Sequence, residues 1–105
     1  MLRIYDVTLH VLRTLRPAVI AIESHDRDLA RQLRRAASSI ALNIAEGSGS
    51  HGGTRKERYR NALGSAREVV ACLQTAIAWG YVPEIDHHAH AGLRQIVGTL
   101  VRVTQ

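Results

Sequence analysis

Apolar residues recur at three- and four-residue steps through nearly the whole chain, a pattern that predicts four amphipathic helices. In the first, about 4–23, the stripe is Ile4, Val7, Val11, Leu15, Val19 and Ile22. Pro17 predicts a kink there, because it removes one backbone donor and disfavours helical geometry at Arg16. The second, 26–46, has Asp26 as N-cap and Gly47 as C-cap, with Leu29, Leu33, Ala36, Ala37, Ile40 and Ile44 on its apolar face. The third, 54–79, opens on a capping box from Thr54 to Glu57. Its stripe of Tyr59, Leu63, Ala66, Val70, Leu73 and Ile77 alternates steps of four and three, the spacing of a left-handed bundle seam. Gly80 ends this helix and Pro83 prevents its resumption. The fourth, 86–103, carries Ala89, Leu93, Ile96, Leu100 and Val103. No segment alternates with period two long enough to form a strand. Short connections between such helices predict an all-α, antiparallel up-down four-helix bundle, one domain spanning 1–105.

Composition agrees with packed helices. Apolar residues are 46% of the chain but aromatics only 4%, with no phenylalanine, so Leu, Ile, Val and Ala must fill the core. A single cysteine, Cys72, excludes an internal disulfide and offers no thiolate metal cluster. No apolar run reaches the ~18 residues of a membrane span, and no leader pattern opens the chain. A cytoplasmic location without membrane contact is expected.

The apolar surface is wider than one core requires. Helix three carries a second flank of Val69, Cys72, Ala76 and Trp79, and helix two is apolar almost all round after Ser39. Gly64, Ala71 and Ala78 form a heptad-spaced small-residue series away from the core stripe. A mid-helix glycine costs roughly 1 kcal/mol against alanine, so something must offset Gly64. Self-association through these faces is the expectation, since broad apolar arcs are seldom left facing water.

The run from Gln32 to Gly47, QLRRAASSIALNIAEG, and the later Tyr59, Ala62-Leu63-Gly64-Ser65, Glu68, Leu73 and Gly80-Tyr81 resemble the signature of a family of small helical proteins. These are the four-helix-bundle proteins, also named 23S rRNA intervening-sequence proteins. They are distantly similar to the basic accessory proteins of diversity-generating retroelements. The resemblance spans about half the chain, from Gln32 to Tyr81. It implies a helical bundle, a homo-oligomer with a pentameric ring as the expected form, and an association with RNA. It assigns no activity. Relatives place a proline in the turn between the first two helices, and Pro17 lies too early for that turn.

Chemical motifs are few. Gly47-Ser48-Gly49-Ser50-His51-Gly52 matches a dinucleotide-binding pattern, but that pattern needs a preceding strand, and a helix precedes it here. His87, His88 and His90 with Asp86 look like ligands, yet a closed zinc site needs four, and no partner cluster exists in the sequence. Arg3 and His10 are spaced like the Arg–His pair of a family of helical ribonucleases. Ile4, however, stands where that family has a polar residue. No nucleophile–base or paired-carboxylate arrangement is present, so no enzyme, no cofactor, no metal and no small-molecule substrate is expected.

Two polar groups remain. Arg35, Ser39, Asn43 and Glu46 follow steps of four, four and three along helix two, and Ser65 and Glu68 match them on helix three. A structural role in locking helix register is expected for this strip. The basic residues Arg31 and Arg34 on helix two and Arg55, Lys56, Arg58 and Arg60 at the start of helix three are the candidate nucleic-acid contacts. Cations there oppose the helix dipole, a placement that folding alone disfavours. With net charge +5, they point to a non-enzymatic, oligomeric protein that binds RNA or DNA. The competing reading is a structural or protein-interaction module. Tyr59 is the one aromatic within the basic cluster, which argues against base-specific reading of single strands.

Overall fold

Four helices fill the chain in the computed structural model, which describes residues 3–105: α1 (Ile4–Glu23), α2 (Arg27–Ser48), α3 (Gly52–Trp79) and α4 (His87–Thr104). The described residues are 85% helical and include no strand. Each helix packs on two neighbours in the order α1–α2–α3–α4 and back to α1, and the α2–α3 contact is the most extensive. The long dimension is 42 Å, the length expected of the 28 residues of α3 from the rise per residue. Among the described residues no helix is long and apolar enough to cross a membrane.

The core is aliphatic and continuous. Val11 and Ile22 of α1, Leu33, Ile40 and Ile44 of α2, Leu73 of α3, and Leu93, Ile96 and Leu100 of α4 are all essentially inaccessible. Thr8 is the buried polar residue that periodicity passes over, and its Oγ1 donates to the Ile4 carbonyl at 2.8 Å. α1 runs on through Pro17 to Glu23. Both Pro17 and Arg13 are exposed, so the Arg13 carbonyl that loses its helical donor can turn to water.

Three expectations need correction. The flank Val69, Cys72 and Ala76 of α3 is buried inside the subunit, at 0%, 4% and 0% exposure, and only Trp79 stays outside, at 69%. The inward face of α3 is wider than one heptad stripe because it meets both α2 and α4. Next, α3 begins at Gly52 with His51 as its cap, two residues before Thr54, and His51 makes no side-chain capping bond. Gly52, at φ +57°, starts the helix from a backbone conformation that disfavours other residues, and this displaces the capping box. Finally, Gly47 is not a C-cap: α2 continues to Ser48, with Gly49 as its cap.

Gly47 has a different duty. It is buried, and a β-carbon there would strike the ring of Tyr59, 2.6 Å from Cδ1. The bare backbone lets Tyr59 lie flat across α2, its hydroxyl 3.3 Å from Ser48 Oγ. Gly64, by contrast, is exposed and faces open space. The two glycines should therefore answer alanine with opposite signs. Gly47→Ala overpacks the α2–α3 contact at a cost that exceeds the helix-propensity benefit, a net loss of about 1 kcal/mol. Gly64→Ala stabilises the subunit by about the same amount. In thermal melts at concentrations too low for self-association, shifts of about 5 °C down and up respectively are expected. Equal shifts in one direction would show that propensity alone governs both sites.

Candidate nucleic-acid interface on α2 and α3

Because α2 and α3 run antiparallel, residues far apart in sequence meet across their seam. Ser65 Oγ donates to Ser39 Oγ at 2.8 Å, and Asn43 Nδ2 donates to both the carbonyl and the hydroxyl of Ser39 at 3.0 Å. Glu68 accepts from Gln32 Nε2 at 3.4 Å, and Glu46 pairs with Arg58 at 3.2 Å. Of the strip identified from helical spacing, Ser39, Glu46, Ser65 and Glu68 bond across the two helices, Asn43 braces Ser39 within α2, and Arg35 makes no such bond among the described residues. Serines at the centre keep the two helices close, with the Gln32–Glu68 hydrogen bond on one side and the Arg58–Glu46 ion pair on the other.

Beside this strip runs a groove of about 1070 Å³, reaching from Asp28 to Glu46 along α2, with Arg58, Ser65 and Glu68 on the α3 side. Its length is roughly 27 Å, from the helical rise per residue. Four arginines line it, Arg31, Arg34, Arg35 and Arg58, against the three carboxylates of Asp28, Glu46 and Glu68. Most of these cations already have partners. Arg31 pairs with Asp28 at 2.8 Å, and Arg34 with Glu23 at 3.0 Å. These pairs are solvent-exposed and hold little energy, typically 0–1 kcal/mol, so a phosphate can displace the carboxylate. Arg35 has no carboxylate within ion-pair distance among the described residues.

The six candidate contacts do not form one patch. Arg31, Arg34 and Arg58 line the groove, and Arg58 lies about 22 Å along the seam from Arg31, judged by the helical rise from there to its partner Glu46. Lys56 and Arg60, four residues apart on α3, share a face that points away from the groove, together with Arg67. All three are exposed and make no salt bridge among the described residues. Arg55 is committed to the fold: its Nε donates to the carbonyls of Gly47 at 3.2 Å and Ser50 at 2.9 Å, tying down the end of α2. Tyr59, 5% exposed behind Gly47, cannot stack on a base.

The remaining chemistry is thin. Burial pushes the Cys72 thiol above its ordinary value, and the Glu68 carboxylate adds to the shift, so the thiol stays protonated and unreactive near neutral pH. Asp86 caps α4 by accepting from the backbone N–H groups of His88 and Ala89 at 2.8 and 3.2 Å. The His87 and His88 rings meet edge to face with centroids 5.9 Å apart. Among the described residues no three His, Cys, Asp or Glu side chains gather as a metal site. Arg3, which precedes α1, and His10 within it are both exposed.

The family model for the 23S rRNA-intervening sequence protein matches residues 9–101. The chain belongs to this family. Among solved structures it is similar to a crystal structure of a protein of unknown function from the S23 ribosomal protein family of Bacteroides thetaiotaomicron VPI-5482, with a TM-score of 0.79. The two share 17% identity over 97% of this chain and 98% of that one, a likeness that speaks to the fold alone. No curated protein matches the sequence.

Proposed function

We propose that this protein is a non-enzymatic, homo-oligomeric accessory protein that holds RNA or DNA by its backbone, across the α2–α3 face. The observation that carries the reading is the arginine-lined groove, whose guanidinium groups recur along its length and whose ion pairs are weak enough to exchange for phosphate. Arg31, Arg34 and Arg58 contact phosphates within it, and Lys56 and Arg60 extend the positive surface round α3. Membership in a family named for rRNA intervening sequences supports RNA as the polymer.

The oligomer is supported by Gly64. Nothing in the subunit occupies the space beside it, and Ala71 and Ala78 continue the same exposed, small-residue face. A second copy of α3 crossing at Gly64, with Arg60 and Arg67 at the rim of the contact and their charged ends in solvent, would account for a glycine that the isolated helix disfavours. A pentamer is the form implied by the family resemblance. Light scattering at micromolar concentration should give a multiple of the 11.6 kDa subunit mass, and Ala71→Arg should reduce it to the monomer with unchanged helicity. A monomer mass for the wild type would end this part of the reading.

The three carboxylates in the groove favour a second reading, a protein-interaction module whose charges pair with a mixed partner surface. Titration of labelled RNA at two salt concentrations separates the two. Affinity that falls steeply with salt supports nucleic-acid binding, and no measurable association near physiological salt supports the module.

A further inference from the structure

The end of the bundle where α1 turns into α2, and α3 into α4, carries an aromatic ladder. Gly80 takes a left-handed conformation, φ +82°, and its N–H donates to the Ile77 carbonyl at 3.0 Å. The next N–H, of Tyr81, reaches back to the Ala76 carbonyl at 2.9 Å. This termination reverses the chain sharply and returns Tyr81 alongside Trp79, with ring centroids 6.4 Å apart and planes 16° from parallel. His25, in the α1–α2 turn, stacks on Tyr81 with centroids 5.0 Å apart and planes within 7°.

Three nearly parallel rings from two separate turns therefore stand in one stack. Tyr81 at the middle is half-buried, while the indole at one end is 69% exposed. An exposed tryptophan held parallel to its neighbour presents one flat, pre-oriented face to solvent, which is the geometry that stacks a base.

The surroundings add charge. His25 borders a hollow of about 670 Å³ shared with Arg27, Arg31 and Arg34. The acids Glu23, Asp26 and Asp28 line it as well. Asp26 is occupied in capping α2 through Leu29 N–H at 2.9 Å, and the Arg34–Glu23 and Arg31–Asp28 pairs are exposed and exchangeable. Arg27 has no carboxylate within ion-pair distance among the described residues.

Resting on the proposed nucleic-acid role, we infer that this end of the bundle is a stacking platform for an unpaired base of single-stranded RNA or DNA. The base lies on the open face of Trp79, and the strand runs from there past Tyr81 and His25, its phosphates a few nucleotides on reaching Arg27, Arg31 and Arg34. A duplex cannot use the platform, because its bases are already stacked. The groove binds backbone, and the ladder selects single strands.

Trp79 is the only tryptophan, so its fluorescence reports the contact directly. The experiment titrates the full chain with a single-stranded oligouridine of about ten nucleotides and with a duplex of equal length, following both tryptophan emission and the polarisation of an end label. The expected result is quenching of at least about two-fold by the single strand, little by the duplex, and single-strand affinity lowered about ten-fold by Trp79→Ala. Trp79→Phe should retain most of the affinity. Binding seen by polarisation without quenching, or unaffected by Trp79→Ala, overturns the platform while leaving the groove reading intact. Absence of binding in both channels overturns both. If Trp79→Ala instead lowers the mass in light scattering and leaves single-strand affinity untouched, the indole packs on a second copy of the chain and the platform is refuted.

Discussion

Leu73→Asp should leave no folded protein. Leu73 lies in the C-terminal half of α3, is 1% exposed, and belongs to the single hydrophobic cluster that all four helices share. The change removes the leucine's burial, about 2–5 kcal/mol by analogy with truncation, and forces a carboxylate into a site without a cation. An unpaired buried charge costs several kcal/mol more unless it takes up a proton. Domains of this size are stable by only about 5–15 kcal/mol, so the sum approaches or exceeds the whole. Far-UV circular dichroism should show lost helicity, or expression should yield only aggregate. Val69→Asp should do the same, since Val69 is fully buried. If Val69 instead lined a contact between subunits, its aspartate variant would fold as a helical monomer. Leu42→Asp is the control: at 65% exposure it should shift stability by no more than about 0.5 kcal/mol. A Leu73→Asp protein that melts like the wild type would mean the core has been assigned to the wrong face.

Sequence periodicity located all four helices because each inward stripe is apolar and the outward faces are not. It failed where two neighbours enlarge a buried face. Val69, Cys72 and Ala76 look like surplus when α3 is weighed against one partner, and become core once α2 and α4 both pack on it. Gly47 misled in the opposite direction. A glycine after a helical run reads as a terminator, yet this one is a packing residue, and only the position of the Tyr59 ring reveals it.

The polar strip was legible because its members share one helix face, but its partners across the seam were not. Pairing Ser39 with Ser65 requires the antiparallel register of α2 and α3, which no spacing within one helix encodes. Being close in sequence, the basic residues at the start of α3 look like one patch. Helical geometry parts them, turning Arg58 toward the groove and Lys56 and Arg60 away from it, while Arg55 folds back on two carbonyls. The aromatic ladder was invisible for the same reason in reverse: His25 and Tyr81 are distant in sequence and meet only because two turns share one end of the bundle.

RNA affinity should fall on the order of a hundred-fold between roughly 50 and 200 mM salt. That figure follows from about four phosphates neutralised, each releasing most of one counterion. Changing Lys56, Arg58 and Arg60 to glutamine should reduce the salt effect to a few-fold, because each lost phosphate contact lowers the slope by about one. Arg55 is left in place, since its two carbonyl bonds hold the end of α2 and its loss would confuse binding with folding. The triple variant should melt close to the wild-type temperature. All three side chains are exposed, and the Arg58–Glu46 pair is a weak surface pair. Net charge alone can draw RNA weakly to any basic protein. The comparison is therefore with Arg3, Arg13 and Arg94 changed to glutamine, three exposed arginines that remove the same charge elsewhere. If the two variants lose affinity equally, the α3 residues are no site and the attraction is diffuse. If the α3 variant alone loses its salt dependence, the phosphates lie where the proposal puts them. A separate variant with only Arg31 and Arg34 changed to glutamine then tells how far along the groove the strand extends, since its slope should fall by about one if the strand reaches them and stay at the wild-type value if it does not.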